Sequence, residues 1–330
     1  MRWQDVLLKN ENHILPLDKK KLHTIGVIGP NADSRKALVG NYEGTSSRYI
    51  TVLEGIEDYV GENVRVLYSE GCHLYRDRTS NLAMEHDRDS EVRAVCEASD
   101  VVIAVVGLDA TLEGEEGDTG NEYGSGDKPN LNLPGLQPDI IRIAKESGKP
   151  VIVVLLAGSA MALSWEDEHV DAILDGFYPG AQGGAAIAEI LFGGANPEGK
   201  LPITFYQTTE ELPEFTDYAM KGRTYRYMEN EALYPFGYGL SYTTYAYGNL
   251  ECVKPFDAQD GITLQVTVTN TGDREGTETL QVYVKAKREG TPNPQLKYVK
   301  KITLKPGESV TEEIHLSPEA FMLYDEKGNF

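Results

Sequence analysis

Val101-Val-Ile-Ala-Val-Val106 is an unbroken apolar run, and it leads directly into Gly107-Leu-Asp-Ala-Thr-Leu-Glu113-Gly-Glu115-Glu116-Gly-Asp118. A strand that is apolar at every position leaves no face for water, so it belongs inside a sheet covered on both sides. The same texture recurs at Thr24-Ile-Gly-Val-Ile28, Val64-Arg-Val-Leu67, Val151-Ile-Val-Val-Leu-Leu156 and Ala172-Ile-Leu174. Helical patterns alternate with these runs: Ser90–Ala98, Pro138–Ser147, and Gly184–Phe192, which Gly193-Gly194 stops. Strand and helix in alternation predict an α/β fold over residues 21–205, a doubly wound, mostly parallel α/β sandwich. Residues 1–20 are set apart from it as a leader segment.

Beyond Phe205 the texture changes. Residues 206–247 form a connector rich in Tyr and Gly, whose tyrosines are expected to fill interfaces. From residue 248 apolar and polar positions alternate, at Ile262–Val268, Thr279–Val284, Val299–Leu304 and Val310–Leu316, with turns at Asn270-Thr-Gly272 and Lys305-Pro-Gly307. Period two means antiparallel strands with one wet face, so residues 248–330 read as a fibronectin III-like β-sandwich. Ala246–Val253 and Phe321–Tyr324 are added as further strands. A seven-stranded sandwich needs one more, so the domain is expected to be incomplete at its C-terminus. An unpaired edge there would invite a homodimer.

Composition narrows the function. The chain has 330 residues, 31 Lys+Arg against 52 Asp+Glu, and a formal net charge of -21. That length suits two domains. So acidic a chain lacks the basic faces that nucleic acid or an anionic lipid surface would require. No apolar run is long enough to span a bilayer. The partner is therefore neutral or cationic. Cys72, Cys96 and Cys252 form no CxxC pair and read as three buried thiols. Charges interrupt any apolar stretch in residues 1–17, so no secretory signal is read, and a natural start at Met1 would imply a cytoplasmic protein. No histidine sits in an HxH or HExxH spacing, so no metal site is predicted, and no GxSxG elbow occurs.

The segment after Val106 carries the chemistry. Ligands of open α/β sheets bind beyond the carboxyl edge of the strands, and Glu113, Glu115, Glu116 and Asp118 fall there. Crowded carboxyls raise one another's pKa, which suits a general acid. A solvated acidic loop or a Ca²⁺ site would show the same residues. At Gly29-Pro30-Asn31 the dinucleotide pattern G-x-G-x-x-G is broken, which favours a tight turn over a phosphate cradle.

Several blocks together resemble glycoside hydrolase family 3, the exo-acting β-glucosidases and β-xylosidases. They are Leu7-Leu-Lys-Asn-Glu-Asn-His-Ile-Leu-Pro-Leu17, Val27-Ile-Gly-Pro-Asn-Ala-Asp33, Phe177-Tyr-Pro-Gly-Ala-Gln-Gly-Gly184, Leu191–Phe205, Tyr234–Thr243 and Val268-Thr-Asn-Thr-Gly272. Gly40-Asn-Tyr-Glu-Gly44 and Tyr68-Ser-Glu-Gly-Cys72 resemble the β-xylosidase branch more than other β-glucosidases. The resemblance implies an α/β-sandwich domain followed by a fibronectin III-like domain. It also implies a (β/α)8 barrel bearing the aspartate nucleophile in a Ser-Asp-Trp setting, together with a Lys-His sugar-binding motif. Neither motif occurs in this sequence.

A retaining glycosidase uses two carboxyl groups, one as nucleophile and one as acid/base. The resemblance therefore implies that this chain supplies only the second and depends on a barrel in cis or trans. In the xylosidase-like branch the acid/base loop resembles Glu-x-Glu-x-x-Asp, which falls on Glu113, Glu115 and Asp118. That register implies Glu115 as acid/base, with Glu113 and Glu116 as alternatives, and Asp118 as substrate-binding. Thr119 stands where the family often has Arg. The implied substrate is an oligosaccharide or an aryl or alkyl β-glycoside, with no cofactor. A non-catalytic carbohydrate-binding module and a flavodoxin-like cofactor or signalling domain are the alternatives from other classes.

Overall fold

The computed structural model describes residues 5–40, 43–114, 128–252, 259–287 and 291–323. Two compact units divide the chain. The first comprises Met1–Leu212 with Ala232–Leu240, and the second Pro213–Glu231 with Ser241–Phe330. The return of 232–240 to the first unit means that the Tyr-rich connector is shared between the units.

The first unit is built on a six-stranded sheet. Its strands are β1 (Val6–Asn10), β2 (Thr24–Ile28), β3 (Arg65–Ser69), β4 (Val101–Gly107), β5 (Val151–Leu156) and β6 (Ala172–Asp175), in the order β1-β6-β5-β4-β2-β3. β2 to β6 run parallel and β1 pairs antiparallel with β6. Every residue of β2, β4, β5 and β6 is buried, as their continuous apolar runs require. This is the mostly parallel, doubly wound sheet expected. The stretch set apart as a leader is different: Val6-Leu7-Leu8 is fully buried and forms an edge strand. A run of three apolar residues in a five-residue strand is too short to declare its partner when that partner lies so far along the chain.

Helices α1 (Val52–Val60), α2 (Asp89–Glu97), α3 (Gln137–Glu146), α4 (Ser164–His169) and α5 (Gly183–Leu191) complete the unit. α1 opens on a capping box, in which the Thr51 hydroxyl accepts from the Glu54 N–H and the Glu54 carboxylate accepts from the Thr51 N–H. α1 and α5 touch backbone to backbone. A Cβ on Gly184 would fall 1.8 Å from the Thr51 carbonyl oxygen, and one on Gly55 2.1 Å from that of Gly184. Glycine at both positions is what permits the approach.

The second unit holds β7 (Tyr245–Cys252), β8 (Ile262–Asn270), β9 (Gly276–Val284), β10 (Gln295–Leu304) and β11 (Ser309–Leu316), arranged as a β11-β8-β7 sheet and a β10-β9 pair, all antiparallel. Val266, Val268, Leu280, Ile302, Leu304, Ile314 and Leu316 form its core. The wet faces carry hydroxyl pairs across the strands, Thr267 with Thr311 at 2.9 Å and Thr277 with Thr303 at 3.0 Å. This is the fibronectin III-like architecture expected, with one strand fewer among the described residues. Phe321 closes a single 3-10 turn, Pro318–Phe321, rather than opening a strand, because Pro318 presets the turn; Tyr324 lies outside the described residues. Of the thiols, Cys72 and Cys96 are buried as expected, but Cys252 is exposed on β7, whose burial pattern is open along most of its length.

Candidate active site

In the parallel part of the sheet the chain runs from β2 outward to β3 and then crosses back to β4 on the other side of β2. That reversal opens a crevice between the carboxyl ends of β2 and β4, where ligands of such sheets bind. Both ends are fixed by glycines in conformations other residues avoid. Gly29 has φ +113 and Gly107 φ +134, and a Cβ on either would fall 2.1 Å from a neighbouring carbonyl oxygen, of Val105 and Leu156 respectively. The Gly29-Pro30-Asn31 segment is the tight turn expected. Its Asn31, fully buried, donates through Nδ2 to the Leu108 carbonyl at 2.8 Å. Gln137, also fully buried, grips Gly107 on both sides: it accepts from the Gly107 N–H at 2.7 Å and donates to the Gly107 carbonyl at 2.9 Å.

From that clamp the chain winds toward the acidic segment. The Asp109 carboxylate accepts from the Thr111 N–H at 2.8 Å and from the Thr111 hydroxyl at 2.5 Å, and the Asp109 carbonyl accepts from the N–H groups of Leu112 and Glu113. Glu113 then folds back onto the sheet. Its Oε2 accepts from the Gly158 N–H at 2.6 Å and from the Tyr178 hydroxyl at 2.5 Å, while Oε1 accepts from the Ser159 hydroxyl. Lys128 Nζ stands 3.9 Å from Oε1 and donates to the Ala160 carbonyl at 3.0 Å. Gly158 and Ser159 lie just beyond β5, and Tyr178 just beyond β6. One carboxylate thus ties the segment after β4 to the next two strand ends.

Burial sets the electrostatics of this edge. It pushes the Tyr178 phenol well above its ordinary range, and the negative charge of Glu113 adds to the shift, so Tyr178 remains an O–H donor. It also lowers the Lys128 ammonium, while Glu113 pulls the other way. Asp175, the last residue of β6, is fully buried and accepts at Oδ1 from the Phe177 N–H at 2.9 Å, bracing a turn in which Phe177 has φ +52. Asp5 is fully buried too. Among the described residues, both oxygens of Asp5 and Oδ2 of Asp175 have no hydrogen-bond partner. Burial raises the Asp5 carboxyl to about 7. Burial likewise raises Asp175 well above the usual carboxylate range, with Asp5 and Glu113 adding to it and the Phe177 N–H opposing.

Of the residues expected in the site, Glu113 is at the sheet edge, within the domain. Glu115, Glu116 and Asp118 lie outside the described residues. Sequence reasoning missed Lys128, Gly158, Ser159, Tyr178, Asn31 and Gln137. A usable signal existed for four of them: Asn31, Gly158, Ser159 and Tyr178 follow an apolar strand within three residues, so the carboxyl-edge rule applied to every strand would have found them. Among the described residues no group of three or more His, Cys, Asp and Glu side chains is placed to hold a metal ion. Nor is any described helix long and apolar enough to cross a membrane.

Fold and site together define a class: an open α/β domain with a carboxyl-bearing loop at its switch point, followed by a fibronectin III-like domain. The profile of the glycosyl hydrolase family 3 C-terminal domain matches residues 5–242, and a fibronectin type III-like profile matches residues 278–330. The chain belongs to glycoside hydrolase family 3. It is 38% identical over 355 residues to a periplasmic β-glucosidase of Salmonella typhimurium, covering 98% of this chain and 45% of the relative. To a β-xylosidase of Formosa agariphila it is 35% identical over 325 residues, covering 94% and 43%. The structure of a β-glucosidase from Erythrobacter marinus superposes with a TM-score of 0.82 at 32% identity, covering 98% of this chain and 45% of that one. The chain thus spans less than half the length of these relatives.

Proposed function

We propose that this chain supplies the general acid/base of a retaining exo-β-glycosidase whose nucleophile resides on a (β/α)8 barrel, in cis or in trans. The observation that carries the reading is the anchoring of Glu113. Its two oxygens accept from Gly158, Ser159 and Tyr178, so it holds the segment after β4 rather than offering a face to a glycosidic oxygen. An acid/base must present a carboxyl that substrate can reach, and Glu115, two residues further along, takes that role. Glu116 is the alternative, and Asp118 serves substrate binding. In the first half-reaction the barrel's aspartate attacks the anomeric carbon while Glu115 protonates the departing oxygen. In the second, Glu115 takes a proton from water, which attacks the glycosyl-enzyme with net retention. Substrates are the terminal, non-reducing residues of β-xylosides or β-glucosides, in line with the names of the relatives.

Glu115→Ala in the chain joined or mixed with its barrel tests the proposal. On an activated aryl β-xyloside or β-glucoside, deglycosylation slows by about 10²–10⁴-fold and added azide restores turnover. Glu113→Ala loses activity without azide rescue, because it removes the anchor and not the proton carrier. Azide rescue of Glu113→Ala or Glu116→Ala, and not of Glu115→Ala, would overturn the assignment. Saturable sugar binding by the mixture with no hydrolysis would instead favour a carbohydrate-binding module.

A further inference from the structure

A groove of about 480 Å³ opens in the first unit between α3 and α4, with residues following Phe205 as its outer wall. Its volume falls in the range that holds a small ligand. Asn132, Arg142, Trp165, Glu166 and Gln207 line it, around the apolar surface of Pro138 and Leu133. The unusual member is Glu166, a carboxyl in a residue only 5% exposed. Among the described residues only its own backbone N–H donates to that carboxyl. Burial raises that carboxyl above its ordinary range, while its own backbone N–H and the charges of Arg142 and His169 oppose the shift, so an acidic acceptor stands in the wall of the groove.

The walls of the groove are held in place. Trp165 stacks on His169 with ring centroids 4.3 Å apart and 9° between planes, and the His169 ring bonds the Trp165 carbonyl at 2.8 Å. The Arg142 guanidinium lies 5.3 Å from the Trp165 ring centre, and its Nη1 donates to Asp139 at 3.0 Å. Ser164 fixes the outer wall by donating to the Gln207 carbonyl at 2.7 Å.

We propose that this groove binds a neutral mono- or disaccharide at a site separate from the acid/base loop. A carboxyl, two side-chain amides and a guanidinium fork set against aromatic and aliphatic surface match the alternating hydroxyls and C–H faces of a sugar ring. Asp139, Glu166 and Glu210 outnumber Arg142 in the lining, which turns away an anion. A bare metal ion would need converging carboxyls, and no such group exists among the described residues. The segment from Gly158 to Ser164 separates the two places: its first two residues hold Glu113, and its far end walls the groove. The inference stands whether or not Glu115 is the acid/base.

Trp165 makes the test direct, because the chain has only two tryptophans. In the full chain carrying Trp3→Phe, emission from Trp165 is followed during titration with xylobiose, cellobiose and, as a control, glycerol. The expected result is a saturable shift with a disaccharide at millimolar Kd and none with glycerol. Glu166→Gln, checked for parental circular dichroism, weakens binding by about tenfold, and Glu115→Gln leaves the isotherm unchanged. Calorimetry with Trp165→Ala should show the loss independently of the fluorophore. Absence of any saturable response, an identical shift with glycerol, or a folded Glu166→Gln that binds like the parent would overturn the proposal. Loss of binding in Glu115→Gln would also overturn it, by assigning the sugar to the catalytic loop.

Discussion

A fully buried amide of the fibronectin III-like unit and two fully buried carboxyls of the α/β unit are treated in opposite ways. In the fibronectin III-like unit Asn270 meets a partner with every hydrogen-bonding position of its amide. Oδ1 accepts from the Thr243 hydroxyl at 2.7 Å and the Gly272 N–H at 3.0 Å, and Nδ2 donates to the carbonyls of Arg274 and Leu304 at 2.8 and 2.9 Å. The α/β unit instead buries Asp5 and Asp175 at the carboxyl edge of its sheet, with three of their four oxygens unpartnered among the described residues. A satisfied amide staples loops together and stabilises the fold. Unpartnered carboxyls cost stability and persist beside chemistry, where strain and unusual protonation are tolerated. The lesson is that polarity in a core must be read through its partners: the same burial holds a satisfied staple in one unit and carboxyls of raised pKa in the other.

The contrast can be broken by mutation and by pH. The largest effect is expected from Asp5→Asn. Between pH 3.8 and about 7 the folded chain keeps a proton on Asp5 that the unfolded chain has released. Stability of the α/β unit therefore falls as pH rises through that window, by roughly 4 kcal/mol in total, and levels off above it. Asp175, raised in the same direction, steepens the slope. Asp5→Asn should match the parent near pH 4 and exceed it near pH 8 in urea denaturation; a parallel pH dependence of parent and variant would end the contrast.

Asn270→Ala comes next and has the opposite sign. It strands two carbonyls and two donors, and should cost the fibronectin III-like unit about 3 kcal/mol at any pH. Asn270→Asp should not recover the loss, because a carboxylate cannot donate to the Arg274 and Leu304 carbonyls. A thermal transition unchanged by Asn270→Ala would refute the staple. The smallest change is Tyr178→Phe, which removes one bond to Glu113 and should cost the α/β unit about 1 kcal/mol. It should also speed hydrogen exchange at the Gly158 amide, the neighbouring donor on the same oxygen. Unchanged exchange there would show that Tyr178 does not brace the anchor.

Much of the fold is legible in the residues because burial on both faces leaves a plain mark. Thr24–Ile28 and Val151–Leu156 are strands at the bounds read from their apolar runs, and the alternation at Val310–Leu316 is β11 but for one residue. Two readings failed for a physical reason. Val6–Asn10 is short, and what makes it a strand is Ala172–Asp175, which no local pattern can supply. Phe321 lies beside apolar neighbours that suggest a strand, but Pro318 commits the backbone to a turn. The site was legible in outline only. Glu113 was found because it follows an apolar run in an acidic cluster. Its anchors come from the ends of two other strands, and only the parallel order of the sheet makes them neighbours.

The pairing of β1 with β6 also shapes how the chain must be made. A ribosome releases Val6–Asn10 first and Ala172–Asp175 only after most of the α/β unit has emerged, seconds later at ordinary elongation rates. During that interval an apolar segment waits without its partner, and closing the long loop between them is entropically costly. The sheet therefore cannot be completed in the order of synthesis: its earliest strand is docked last.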